Sequence, residues 1–199
     1  MPKQVDHTLR RAEIAEIAAK IIAELGLEKA TIREVAKRSG FSKSIVENYF
    51  ESKEELIHCA LEWANQKFNV RVEQAVSKKS GLAAVRARME SILPTTNEKK
   101  EEWRIRLQFW CMASLDKELQ KKQEHRYTLS RQYFLKDLQA AKKNGELAPN
   151  IIVADEASKL THMVSGLSVA TLHSPHYFNQ RRVNETINKY IRDLKPHIK

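Results

Sequence analysis

Apolar residues recur every three or four positions along most of the chain, interrupted at a few glycines, prolines and polar runs. That spacing is the period of an α-helix, so the pattern reads as a succession of amphipathic helices. Ile14, Ile17, Ala18, Ile21, Ile22 and Leu25 form a first stripe, which predicts a helix over 8–25 stopped by Gly26. After a short link over 27–30, Thr31 is placed to cap a second helix and Glu34 to complete a capping box. Ile32, Val35 and Ala36 form its apolar face, and Gly40 supplies the left-handed residue that ends it. Ser42 caps a third helix, in which Ile45 and Val46 face inward while Lys43, Ser44, Glu47 and Asn48 face out. Two short helices about a glycine turn, the second with a polar outer face, make a helix-turn-helix. That geometry admits a helix to a DNA major groove.

Ser52 caps a long fourth helix reaching 76, with Leu56, Ile57, Ala60, Leu61, Ala64, Phe68 and Val72 on its stripe. Glu54 and Glu55 suit its positive N-terminal end. Further stripes predict helices over 82–93, 98–114, 117–144, 154–173 and 180–194. The expected fold class is all-α, with about nine helices. A helix-turn-helix domain at 1–53 is followed by a second helical domain at 54–199.

Composition narrows the function. No apolar run is long enough to span a bilayer, and the N-terminus lacks an apolar signal core, so the expected compartment is the cytoplasm and no membrane partner is expected. The net charge of +10 suggests a polyanionic partner, but residues 1–53 hold ten basic residues against eight acids, so most of the excess lies downstream. Pairs such as Lys121-Lys122, Lys142-Lys143 and Arg181-Arg182 read as solvated helix faces. The local motif, not total charge, carries the case for DNA. Cys59 and Cys111 lie within helical patterns without a CxxC or nearby histidines, and read as buried thiols rather than redox or metal groups. Nucleophile elbow, P-loop, dinucleotide fingerprint and HExxH are all missing from the sequence, so neither an enzyme, a metal nor a cofactor is expected. A helical adaptor that happens to carry a helix-turn-helix is the rival reading.

Thr31, the Val35-Ala36 pair, Gly40, Ser42, the Tyr49-Phe50 pair, Lys53 and Leu56 stand at the spacing of a known motif. The chain resembles the TetR family of bacterial transcription regulators in these positions and in its helix number and length. The resemblance implies that the first three helices bind DNA, the last two dimerise, and the middle ones enclose an effector cavity. Two positions depart from the family's habit: Ser44 stands where Gly is usual, and Glu47 where an aromatic is frequent. By chemistry, Lys43 can donate to guanine or to a phosphate, Asn48 can pair with adenine, and Glu47 can accept from a cytosine amino group. Thr31, Ser42, Tyr49 and Lys53 are candidates for phosphate contacts, with packing an equal reading for Tyr49. His7, Arg10 and Arg11 form either a phosphate-contacting arm or a solvated first turn.

Leu160, Val164 and Leu167 with Val183, Ile187, Tyr190 and Ile191 are the expected dimer interface, as a four-helix bundle between two chains. Such a homodimer would read a pseudo-palindromic duplex operator. Trp103, Leu107, Phe109, Trp110, Tyr127 and Phe134 are the candidate effector pocket, with core packing the alternative for each. The stretches 105–127 and 160–172 are similar to the C-terminal domain of choline-responsive repressors of the betaine pathway. That similarity implies a cationic effector held against aromatic faces, with amphipathic molecules remaining open. Repression with release by effector is the expected mode, and activation by the same fold is the alternative.

Overall fold

The computed structural model describes residues 7–196. Among them there is no strand, and nine α-helices follow in order: α1 (His7–Leu25), α2 (Ile32–Ser39), α3 (Lys43–Glu47), α4 (Lys53–Val76), α5 (Gly81–Ile92), α6 (Asn97–Ala113), α7 (Lys117–Lys143), α8 (Val153–His173) and α9 (Gln180–Asp193). The link after α1 carries one 3-10 turn, Leu27–Lys29, which periodicity does not reveal. No helix among the described residues is long and apolar enough to cross a membrane.

The chain forms two compact units, Met1–Asn69 with Arg104–Met112, and Val70–Trp103 with Ala113–Lys199. In the first, Ile14, Ala18 and Ile21 of α1 are fully buried, as are Val35, Val46, Phe50 and Leu56. Burying Phe50 alone contributes about 1.5–3 kcal/mol. In the second, α7 packs along α8, and α5 packs on α7 and α9. Its core holds Val85, Met89, Leu93, Phe134, Leu138 and Leu160. Trp103 is buried with its indole N–H donated to the Ile92 carbonyl at 2.7 Å, so its one polar group is satisfied inside the fold.

Several expectations are corrected by the packing. Ile45 does not face inward: it is 40% exposed, and Val46 alone anchors α3 to the core. Leu25 is exposed at the end of α1, and Cys111 is exposed while Cys59 is half-buried. Lys121-Lys122, Lys142-Lys143 and Arg181-Arg182 are exposed, as read, but other charges are drawn inward. The Arg71 guanidinium binds both carboxylate oxygens of Glu102 and also donates to the carbonyl and hydroxyl oxygens of Ser91. Arg88 donates to Asp137 at 2.7 Å and to Glu73 at 2.8 Å, with its guanidinium 4.9 Å from the centre of the Tyr133 ring. Burial alone would lower the Arg88 pKa, but the hydrogen bonds and charges of Asp137 and Glu73 outweigh it and leave it raised.

Candidate nucleic-acid interface

The interface is assembled from local signals in the first unit. Thr31 caps α2, its hydroxyl accepting from the Glu34 N–H at 3.1 Å. The expected capping box is only half made. The Glu34 carboxylate turns instead to Arg38, at 3.2 Å, while the Thr31 N–H is taken by the Lys29 carbonyl at 2.9 Å. Gly40 ends α2 at φ 74°, a left-handed conformation that an L side chain adopts at a cost. The chain then enters α3, capped by Ser42, whose hydroxyl accepts from the Ile45 N–H at 3.2 Å. Ser44 lies 2.9 Å from that same hydroxyl, so the residue standing in the usual glycine place joins the cap.

With Val46 pointing in, α3 turns Lys43, Ser44, Glu47 and Asn48 to solvent. Lys43 and Glu47 pair at 2.8 Å, with side chains 65% and 44% exposed. An exposed pair one helical turn apart contributes only about 0.3–0.5 kcal/mol, so either partner is readily released to a ligand. Asn48 caps the C-terminus of α3 through its backbone, leaving its amide side chain at the surface. Tyr49 is half-buried with its ring against His7, centroids 4.5 Å apart. Lys53 opens α4 and reaches the Glu28 carbonyl at 3.4 Å and its carboxylate at 3.6 Å. Of these residues, Lys43, Ser44 and Glu47 lie on α3, Thr31 and Ser42 cap α2 and α3, Asn48 and Tyr49 follow α3, and Lys53 opens α4.

Arg11 is not a solvated turn residue: it is half-buried and tied to three later parts of the first unit. Its guanidinium donates to the Tyr49 carbonyl and to Glu55, contacts the Cys59 sulfur at 3.2 Å and lies 4.5 Å from the Phe50 ring centre. The Glu55 hydrogen bond raises its pKa against partial burial. Glu55 in turn is held below the usual carboxylate range, first by Arg11 and then by the Glu51 N–H. Arg10 lies over Phe41 at 4.5 Å and pairs with Glu13 at 3.1 Å. No spacing rule in the sequence links Arg11 to residues 38 to 48 positions away.

A short helix-turn-helix with a polar outward face is a feature that comparison with known proteins can test. Residues 14–59 match the model of bacterial regulatory proteins of the tetR family, and residues 82–196 match that of the BetI-type transcriptional repressor C-terminal region. The chain belongs to the TetR family. It is 28% identical over 196 residues to the HTH-type transcriptional regulator PksA of Bacillus subtilis, spanning 98% of this chain and 94% of that protein. It is 24% identical to the HTH-type transcriptional regulator BetI of Yersinia pestis over 194 residues, 96% of this chain and 95% of the other. A putative transcriptional regulator from Saccharomonospora viridis, crystallised in complex with choline, shares its fold with a TM-score of 0.82 at 20% identity, over 93% of this chain and 96% of that one. The first two are named as transcriptional regulators of the helix-turn-helix type and the third as a putative transcriptional regulator.

Within the second unit of this TetR-family chain, the expected dimer residues fall differently from their stripe. Leu160, Val164, Val183, Ile187 and Ile191 are at most 5% exposed in the single chain. They contribute to the core of the single chain. Leu167 keeps a half-exposed side chain, together with Met163, Val169 and Ala170 on the open side of α8. Tyr190 donates its hydroxyl to the buried Glu156, which also takes Lys159 at 3.1 Å. Burial, reinforced by Glu156, drives the Tyr190 pKa well above the usual phenol value.

The expected pocket residues are likewise mixed. Phe109 and Phe134 are buried, Leu107 and Trp110 half-buried, and Tyr127 is exposed with its hydroxyl 2.6 Å from His162 Nε2. Trp103 and Phe134 belong to the second unit, whereas Leu107, Phe109 and Trp110 belong to the first. Two aromatic rings outside that set have cations over them, Arg106 lying 4.2 Å from the Phe68 ring centre and Arg88 4.9 Å from that of Tyr133.

Proposed function

We propose that this regulator works in the cytoplasm as a homodimeric repressor whose operator complex is released by a small molecule. The observation that carries the reading is the outward face of α3, where Lys43, Ser44, Glu47 and Asn48 stand on a helix anchored by one buried valine. Lys43 and Asn48 read guanine and adenine edges, and Glu47, once parted from Lys43, accepts from cytosine. Thr31, Ser42, Tyr49 and Lys53 position the helix on phosphates. Residues 1–53 act as the DNA-binding head, and 54–199 as the effector and dimerisation domain. The half-exposed strip Met163, Leu167 and Ala170 on α8 meets its twofold mate, so that two heads address a pseudo-palindromic site. The effector is a cation or an amphipathic molecule, a class suggested by the choline held by the Saccharomonospora viridis regulator. It releases DNA by binding more tightly to the conformation that does not match the operator.

Selection from a random DNA pool, followed by gel shift at fixed salt, tests the reading. Lys43→Ala and Asn48→Ala should each weaken binding of the dimer to the selected duplex by about a hundredfold, from the loss of a base contact of about 1–3 kcal/mol in each half-site. Unchanged affinity in both variants would remove α3 as the reader. Adding choline to the preformed complex tests the effector class, with dissociation the expected result. A reporter driven from the selected site, compared with and without the protein, separates repression from activation.

A further inference from the structure

We infer that Arg11 is a positioning residue for operator recognition, fixing the recognition helix from outside without touching DNA. The inference rests on the reading of α3 as the DNA reader. A helix of five residues cannot hold its own orientation, because isolated helices of that length are unstable in water. Its N-terminal end is fixed by the Ser42 cap and its middle by Val46. Its C-terminal end runs straight from Asn48 into Tyr49, and the Tyr49 carbonyl is where Arg11 donates. The same guanidinium binds Glu55 Oε1, touches Cys59 Sγ and covers the Phe50 ring, so α1 is tied at once to the exit of α3 and to the first turns of α4.

Glu55 completes the arrangement with its other oxygen. Oε2 accepts from the Glu51 N–H at 2.8 Å, while the Glu55 N–H donates to the Ser52 hydroxyl at 3.1 Å. The Ser52 hydroxyl thus caps α4, while the Glu55 carboxylate joins the Glu51 N–H just before that helix to the arginine that aims α3. The positive charge of Arg11 is matched by Glu55 and its donors are already engaged within the head, so on this inference it adds nothing to phosphate neutralisation. This separates positioning from contact. A phosphate-contacting arginine sets part of the salt dependence of binding, whereas a positioning arginine affects only the affinity for the correct sequence.

The test uses the full chain, the duplex that wild type selects from a random pool, and a scrambled duplex of equal length, read by fluorescence anisotropy across a salt series. Glu55→Gln makes the head more positive, so electrostatics alone would strengthen binding. The positioning role predicts the opposite, a loss of about tenfold on the selected duplex from weakening one charged hydrogen bond, with scrambled-duplex affinity unchanged or raised. Arg11→Met, which keeps an apolar stem over Phe50, should lose selected-duplex affinity to a similar extent with an unaltered salt slope. Selected-duplex affinity equal to or above wild type in Glu55→Gln overturns the inference. So does a fall of about two in the salt slope of Arg11→Met, about one for each head, which would make it a phosphate contact. Circular dichroism checks folding, and if Arg11→Met has lost its helical signal, Glu55→Gln decides alone. A wild-type protein that enriches no sequence overturns the reading of α3 itself, a result distinct from enrichment with insensitive variants.

Discussion

The two carboxylates that hold Arg88 differ in burial, and that difference predicts unequal losses. Arg88 and Asp137 side chains are 4% and 10% exposed, whereas Glu73 is 47% exposed. Asp137→Asn keeps the shape of the side chain but leaves a buried guanidinium whose remaining anion is half in water. Breaking a buried pair from one side costs about 3–5 kcal/mol, because the other charge stays desolvated. Glu73→Gln removes a partner that solvent already screens, at a cost of about 1 kcal/mol or less. For a chain of this size each kcal/mol shifts the thermal midpoint by about 2–4 °C, so the expected drops are about 6–20 °C and at most about 4 °C. The double variant Arg88→Met/Asp137→Leu should recover most of the loss, since neither charge is then buried. Urea and thermal unfolding by circular dichroism, at one protein concentration so that association does not shift the midpoints, measures all three. Equal losses from Asp137→Asn and Glu73→Gln, or a double variant as unstable as Asp137→Asn, would refute the reasoning.

Other outcomes follow from local geometry. Gly40→Ala meets no atom within 4 Å and should cost only the left-handed backbone penalty, about 1–2 kcal/mol. Gly81→Ala carries the same penalty at φ 61° and also drives its Cβ into the Glu146 carboxylate, which accepts the Leu82 N–H; it should unfold at lower urea than Gly40→Ala. Glu55 has a depressed pKa in the folded state, so its contribution is present above the ordinary value of 4.5 and lost as pH falls through the folded value. The stability gap between wild type and Glu55→Gln should therefore close in acid, as read from urea midpoints against pH. Tyr190 has a raised pKa, so its contribution is complete below the ordinary 10.0 and declines as pH rises beyond it. Tyr190→Phe should remove that part of the alkaline loss, and identical alkaline slopes in the two proteins would count against it.

What the sequence discloses and what it conceals divide by range. Thr31, Ser42 and Ser52 bond three residues ahead, and Gly40 acts on its own backbone, so these features are legible from spacing. Even there, geometry chose between partners: the Glu34 carboxylate had two places to go and went to Arg38. Arg88 and Asp137 are 49 residues apart, and Arg11 and Glu55 44, and nothing in a helical period marks such charges as buried or tied. The stripes on α8 and α9 show the same limit. An apolar face says that it is covered but not by which chain, and here Val183, Ile187 and Ile191 are covered by their own.

The orientation of the Lys43–Glu47 pair shows how reading and folding separate in α3. A helix favours acids at its positive N-terminus and bases at its negative C-terminus, and an i,i+4 pair is stronger with Glu first. Here Lys43 opens the helix and Glu47 closes it, the less favourable order for both effects. Helix stability alone does not account for that order; the proposed reading of α3 does, since under it the order sets where a cation and a carboxylate would meet the groove. Reversal by Lys43→Glu/Glu47→Lys keeps the net charge and the pair, and should leave stability unchanged or raised by a few tenths of a kcal/mol. The same reversal should abolish binding to the wild-type operator at fixed salt. Unfolding at lower urea would show that the present order supports the fold, and retained affinity for the wild-type operator would show that neither side chain reads it.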